Sequence, residues 1–261
     1  MQRVDLIKNL GRPVIGDYIP LLFKDFTELH GDRYFGDDPA IMGGIGLFGD
    51  KPVTVIAQVR GRDIAELQRI NFSMPHPEGY RKALRLAKQA EKFRRPVICF
   101  IDTPGAYCGV GAEERGQGEA IARSQHEFMM LETPVISIVL GEGGSGGAVA
   151  IGVCDELAML ENALYSVISP KGFASILWKD GSREREAAEM IKITSEDLHS
   201  FGFCDAIIAE PEGGASKDLN MTASNINTWL HGAMNRLLKE DYNALPEKRY
   251  MKYRKMGVYK E

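Results

Sequence analysis

The sequence predicts an α/β protein, on three observations. Residues 96–101 form a continuous apolar run and 134–140 a second, broken only by Ser137; both have the right length for strands buried on both faces. The first run ends in Asp102-Thr103-Pro104-Gly105 and a glycine-rich loop, the second in the glycine-rich segment 141–147. A helical pattern then follows each segment. Open α/β sheets bind ligands at such carboxyl ends, so these two segments are the first candidates for a working site.

The other elements follow in chain order. Residues 18–29 read as an amphipathic helix ended by Gly31. Residues 43–50 and 53–60 read as two strands around a Gly49-Asp50 turn. Residues 71–78 hold Pro75 and Pro77 and read as a loop. From 77 to 91, Tyr80, Ala83, Leu84, Ala87 and Ala90 recur at helical spacing. Residues 113–131 are helical, and a helix of small residues starts near Gly146. Strands are predicted at 157–160, 164–168 and 206–209, and helices at 187–198 and 221–240. With no internal repeat or low-complexity linker, 1–261 reads as one domain. Helical regions flank it, over about 1–30 and about 220–261.

Composition narrows the function classes. A length of 261 residues is ample for a core, and 44% apolar with 26% charged residues is globular rather than disordered. A net charge of −4 gives no general affinity for nucleic acid. The tail is the exception: Lys248, Arg249, Lys252, Arg254 and Lys255 cluster among Tyr250, Tyr253 and Tyr259. It reads as a solvated basic helix end, with an anionic ligand or acidic partner as the sharper alternative. Of the four cysteines, Cys99, Cys108, Cys154 and Cys204, none forms a C-x-x-C pair, so no zinc ribbon and no metal site is expected. Cys99 and Cys154 read as core residues and Cys108 as a loop residue, a pattern that suits a reducing cytosol. The first ten residues lack the pattern of a secretory signal, and no apolar run reaches the ~18 residues that span a bilayer.

The run Gly141-Glu142-Gly143-Gly144-Ser145-Gly146-Gly147-Ala148 admits several chemistries. Gly141, Gly143 and Gly146 satisfy the dinucleotide-binding spacing, with Glu161 at the ribose offset. That motif usually opens its domain, and Glu142 would set a carboxylate beside a pyrophosphate. Gly143, Ser145 and Gly147 satisfy the nucleophile-elbow spacing, with Asp205 and His231 as later triad members. His231, however, lies in a predicted helix. A Walker-type loop fails, because no Lys-Ser or Lys-Thr follows the glycines. In a fourth reading, the backbone N–H groups of Gly146, Gly147 and Ala148 are aimed at a developing oxyanion, helped by the helix dipole. This needs no titratable side chain. A glycine turn that merely packs strand against helix is the structural alternative.

Longer motifs decide among these readings. The segments 69–83 (RINFSMPHPEGYRKA), 101–107 (IDTPGAY), 109–117 (GVGAEERGQ), the glycine run and 165–170 (YSVISP) resemble the alpha-subunit family of bacterial acetyl-CoA carboxylase carboxyltransferases. The likeness runs from about Tyr18 to the tail with its Arg249-Tyr250 and Arg254-Lys255-Met256-Gly257. Many members carry a longer helical segment ahead of the Tyr18 region.

The resemblance implies a crotonase-like (ClpP/crotonase) fold, a spiral of ββα units with flanking helices. It implies transfer of a carboxyl group from carboxybiotin, on the biotin carboxyl carrier protein, to acetyl-CoA, giving malonyl-CoA. It implies an α2β2 complex with a beta subunit that carries zinc, work alongside biotin carboxylase, and a cytoplasmic location. It places the biotin ureido oxygen on the N–H groups of Gly147 and Ala148, or of Gly146 and Gly147. It lines the biotin pocket with Asn71, Phe72, Met74, Gly105, Ala106, Tyr107, Gly143 and Gly144. Arg115 is expected to pair with Glu113, Glu114 or Glu119. The chemical alternatives are a stand-alone crotonase-type hydratase or thioesterase, and a serine hydrolase using Ser145.

Overall fold

The structure, a computed structural model, describes residues 2–257. Tyr259 of the basic tail lies outside the described residues. Two helices, α1 (Gln2–Lys8) and α2 (Ile15–Leu22), open the chain. The chain then enters the sheet earlier than predicted. β1 (Lys24–Glu28) occupies the second half of the expected 18–29 helix. The helical pattern is real only over Tyr18, Ile19 and Leu22, which are buried. From Phe23 the chain runs as a strand, interrupted at Asp25 (φ 51°), and Thr27 and Glu28 pair with Ile45 and Gly44 of the neighbouring strand. Edge pairing satisfies this backbone where local spacing favours a helix.

β2 (Ile41–Phe48) and β3 (Lys51–Gln58) form the predicted hairpin, with Gly49 at φ 59° in its turn. α3 (Ile64–Arg69), a 3-10 turn at Asn71–Ser73 and α4 (Pro77–Lys92) lead to β4 (Val97–Thr103). The helix expected over 113–131 is two, α5 (Val110–Glu114) and α6 (Gln117–Met129), because Gly116 at φ 84° leaves the helical region between them. β5 (Val135–Gly144), α7 (Ser145–Gly152), β6 (Glu156–Leu160) and β7 (Leu164–Ser166) follow. β7 stops short of 168, and Ser169 caps α8 (Pro170–Trp178) by accepting from Gly172 N–H. The helix expected over 187–198 is also two, α9 (Glu184–Met190) and α10 (Ser195–Ser200). Thr194 and Asp197 close a capping box that restarts the chain as α10. β8 (Ala206–Ile208), α11 (Leu219–Leu237) and α12 (Leu245–Arg254) complete the chain.

One mixed sheet carries all eight strands in the order β1-β2-β3-β4-β5-β6-β8, with β7 off this path on β5. β1, β2 and β3 are antiparallel, and the rest of the sheet is parallel. β2-β3-α4 and β6-β7-α8 are ββα units of the expected kind. β5 is the organising strand: residues 136–139 pair with β6, and 142–144 with β7. It therefore continues through half of the glycine-rich run, which the sequence had placed in a turn.

The tail is a latch rather than a free basic surface. The Arg249 guanidinium is fully buried, 2.9 and 3.0 Å from the Asp155 carboxylate, and donates to the carbonyls of Phe128, Met129, Leu131 and Thr133. Lys252 pairs with Asp205. Lys248, Arg254 and Lys255 are the exposed remainder. Among the described residues no helix is long and apolar enough to cross a membrane.

Candidate active site

Two loops meet at the start of α7. The first turns through Asn71, Phe72 and Ser73, with φ of 51°, 56° and 62°. Three successive non-glycine residues in the left-handed region are held there by their surroundings. The Thr103 hydroxyl lies 2.6 Å from the Ser73 carbonyl oxygen and 2.8 Å from that of Gly105, and its single proton, donated to Ser73, ties this turn to the end of β4. Gln117 Nε2 donates to the carbonyls of Pro75 and Tyr107, and Tyr107 N–H donates to Pro75. The Tyr107 ring stacks on His76 at 4.3 Å, and Asn71 Nδ2 bonds His76 Nδ1 at 2.8 Å. Asn71, Gly105, Ala106 and Tyr107 thus lie in one neighbourhood. Met74 closes the turn through its N–H to Asn71, and Phe72 stands half exposed at the tip.

The second loop is the strand-to-helix corner itself, at Gly144 and Ser145. A β-carbon on Gly144 would lie 2.1 Å from the Pro104 oxygen. One on Gly147 would lie 2.5 Å from the Gly105 carbonyl carbon and 2.7 Å from Ala106 N. One on Gly143 would strike the Tyr165 ring at 2.7 Å. These glycines let the 102–107 backbone press against the first turn of α7. Gly146 is different, since its nearest neighbour would be Ile121 at an ordinary 3.6 Å.

The first turn of any helix leaves its N–H groups without intrahelical acceptors. In α7 the N-cap is Gly144, with no side chain to accept from them, and the turn holds no acidic residue. Exposure falls along the turn: Ser145 is exposed, Gly146 half-buried, Gly147 and Ala148 buried. Glu142, the nearest carboxylate in sequence, is held instead by Arg60 at 3.6 Å. Arg60 also bonds Asp102 at 3.0 Å, and Asp102 accepts from Glu142 N–H. Burial raises the Glu142 carboxyl, with Arg60 opposing. An apolar cavity of about 410 Å³ opens beside Ser145 and Gly146, lined also by Val149, Tyr165, Ile193 and Phe203. A larger groove of about 550 Å³ between α4 and α6 contains none of the predicted site residues.

The geometry separates the alternatives. Ser145, at φ 49° between a strand and a helix, has the form of a nucleophile elbow. The residues that would complete a triad are elsewhere. The His231 ring packs on Phe48 at 4.4 Å, and Asp205 accepts from Leu157 N–H and Lys252. Arg115 pairs with Glu78, 2.6 Å away, and not with the three glutamates expected, because α4 rather than its own helix faces it. The buried Gln58 went unnoticed in the sequence. It donates to the Gly147 carbonyl and accepts from Asp102 N–H. Its only sequence signal is a polar residue ending an apolar strand. Among the described residues no group of three His, Cys, Asp or Glu side chains is placed to hold a metal ion.

Comparison with known proteins places the chain. Residues 1–257 match the family model described as acetyl co-enzyme A carboxylase carboxyltransferase-like. The chain is 57% identical over 257 residues to the acetyl-coenzyme A carboxylase carboxyl transferase subunit alpha of Clostridium botulinum (strain Eklund 17B / Type B), covering 98% of this chain and 94% of that protein. It is 55% identical to a Clostridium tetani protein described as subunits beta/alpha, covering 99% of this chain and 45% of that one. In fold it is similar to transcarboxylase 12S, with a TM-score of 0.73 at 15% identity, over 92% of this chain and 45% of that one. That neighbour has the crotonase-like architecture expected from the resemblance.

Proposed function

The chain belongs to the acetyl-CoA carboxylase carboxyltransferase family, and from that premise we propose that it is the alpha subunit which, with a beta subunit, moves a carboxyl group from carboxybiotin to acetyl-CoA, forming malonyl-CoA for fatty-acid synthesis. One observation carries the reading at this site: the uncapped first turn of α7, pressed against the 102–107 backbone by glycines that admit no side chain. Such a turn offers fixed N–H donors to an oxygen that gains negative charge, and needs no side-chain acid or base. The ureido oxygen of biotin is an acceptor of this kind. Bound there, carboxybiotin supplies the carboxyl group and, after its departure, a nitrogen able to take the acetyl proton.

Of the two registers, Gly147 with Ala148 and Gly146 with Gly147, the second fits this helix start: with Gly144 as N-cap the Ala148 N–H closes the first turn, whereas those of Gly146 and Gly147 have no intrahelical acceptor, so in this reading Gly146 and Gly147 hold the ureido oxygen. Each such donor contributes about 2.7–4 kcal/mol of transition-state stabilisation. Ala106 N, beside Gly147, adds a third N–H to the neighbourhood. Gly105, Ala106, Tyr107 and Asn71 form one wall and Gly143 and Gly144 the floor, while Phe72 and Met74 bound the entrance. The relative that joins beta and alpha subunits in one chain supports a beta partner. We assign that partner the thioester side and a zinc site, and the assembly α2β2 form in the cytoplasm, served by the carrier protein and biotin carboxylase. Residues 1–261 act as one domain.

The test is malonyl-CoA formation by the purified chain, alone and with a beta partner. Activity is expected only with the partner. Turnover by the lone chain would replace this reading with a stand-alone crotonase-type enzyme.

A further inference from the structure

The apolar cavity beside Ser145 and Gly146 is placed there by a chain of backbone pairing. Gly143 and Gly144 of β5 pair with Tyr165 and Ser166 of β7. Tyr165 N–H in turn donates to the Ile193 carbonyl at 3.0 Å, and Leu164 bridges Thr194. The 191–194 segment, which separates α9 from α10, is thereby fixed beside the glycine run. Val149, Tyr165, Ile193, Leu198 and Phe203 give the cavity its apolar lining. Its volume of about 410 Å³ lies within the range of small-ligand pockets, about 300–1,000 Å³.

Among the described residues that line it, one is charged, Lys192. Its Nζ stands 3.8 Å from Asp197, too far for a hydrogen bond, and its side chain is 63% exposed. Asp197 is engaged elsewhere: its other carboxylate oxygen accepts from the Thr194 hydroxyl and N–H in the capping box. The cavity thus offers three things to one ligand: an N–H donor at Gly146, an apolar seat and a lightly paired ammonium. An apolar side chain of a protein partner would use only the seat. A ligand that uses all three has an acceptor oxygen, a compact apolar body and an anionic group. Carboxybiotin has this pattern, in its ureido oxygen, its fused ring and the carboxylate on the ring nitrogen next to that oxygen.

We propose that Lys192 pairs with the carboxylate of carboxybiotin seated in this cavity, so that the site holds loaded biotin more tightly than spent biotin. This rests on the reading of the Gly146 and Gly147 N–H groups as donors to the ureido oxygen. As the C–N bond breaks, its electron pair stays on the ureido group, and the negative charge of the carboxylate passes to the ureido oxygen. Stabilisation by the N–H groups therefore grows in the transition state, while the Lys192 pair is strongest before it. Lys192 acts on binding of the substrate and release of the product, not on the chemical step. Because its ammonium is largely solvated, the pair contributes only about fivefold in affinity, as a surface ion pair does.

The test uses Lys192→Met in the complex with the beta partner, with freshly carboxylated biocytin as substrate and uncarboxylated biocytin as competing ligand. KM for carboxybiocytin is expected to rise about fivefold, kcat not to fall, and Ki for biocytin to stay unchanged. Added salt is expected to raise this KM in the wild type and not in Lys192→Met, and Lys192→Arg is expected to keep the preference for the loaded form. A residue that merely shaped the cavity would weaken both ligands alike. That outcome, or no change in either ligand, overturns the role of Lys192. Val149→Phe tests the seat by filling the cavity from α7, and both ligands are expected to bind at least about tenfold more weakly. Unchanged binding of both, or loss of the beta subunit with biocytin binding intact, would show that biotin does not sit there and overturns the proposal. If Val149→Phe does not fold, Leu198→Phe fills the cavity from α10. A wild-type complex that forms no malonyl-CoA fails the functional reading instead, so the two failures are told apart.

Discussion

At position 147 there is no room for a methyl group, while at 146 there is. Gly147→Ala is expected to push the Gly105–Ala106 peptide aside, lowering kcat about 10²-fold or more and stability by about 1–3 kcal/mol. Gly146→Ala is expected to change stability by less than about 1 kcal/mol, because its new β-carbon meets only Ile121 at contact distance. Steady-state kinetics and urea unfolding of the two variants check this pair. Ser145→Ala is expected to retain substantial activity, since the histidine and aspartate that would complete a triad, His231 and Asp205, are engaged elsewhere. A folded but inactive Ser145→Ala complex would restore the hydrolase reading. The glycines of this site were legible in the sequence as a cluster. Their separate reasons were not, because each is set by a neighbour distant in the chain: Pro104 and Gly105 for Gly144 and Gly147, about 40 residues away, and Ile121 and Tyr165 for Gly146 and Gly143, more than 20 away.

At the scale of elements, strands were easier to read than breaks in helices. β4 and β5 are almost wholly apolar over their first halves, Ser137 excepted, because both faces are covered, so composition alone reveals them. The breaks at Gly116 and at 191–194 depend on one backbone angle and one capping box, which apolar spacing does not record. Gly116→Ala is expected to destabilise by about 1–2 kcal/mol, as its φ of 84° belongs to the left-handed region; thermal unfolding measures it. α4 is fastened to the loop between β1 and β2 by Lys82, fully buried, which donates to Asp37 at 2.6 Å and to the Asp38 carbonyl. Burial alone would raise the Asp37 carboxyl, but the bonded Lys82 ammonium and the Gly31 N–H hold it down to about 2. The folded pKa is thus below the unfolded value of about 3.9. Its contribution is present above pH 4 and is lost as pH falls towards 2. In Lys82→Met that component disappears, so acid unfolding between pH 4 and 2 is expected to be shallower than in the wild type.

Across the whole molecule, the last helix holds the sheet's far layer in place. Arg249→Met would leave Asp155 buried without its partner and remove donors from four carbonyls, and a loss of about 3–5 kcal/mol is expected in chemical denaturation. Lys255→Met, exposed on the same helix end, is expected to change stability by no more than about 0.5 kcal/mol. A uniform loss in both would mean the tail is not a latch. By itself the sequence determined the α/β class, the two buried central strands, the glycine run at their ends and the family, because apolar burial and long motifs are written in consecutive residues. Only the tertiary structure decided that 24–28 is a strand, that β5 runs on to Gly144, that Arg249 faces inward and that Gln58 reaches Gly147. Each of those outcomes depends on a partner distant in the chain: a pairing edge, a buried carboxylate or a carbonyl that local spacing cannot see.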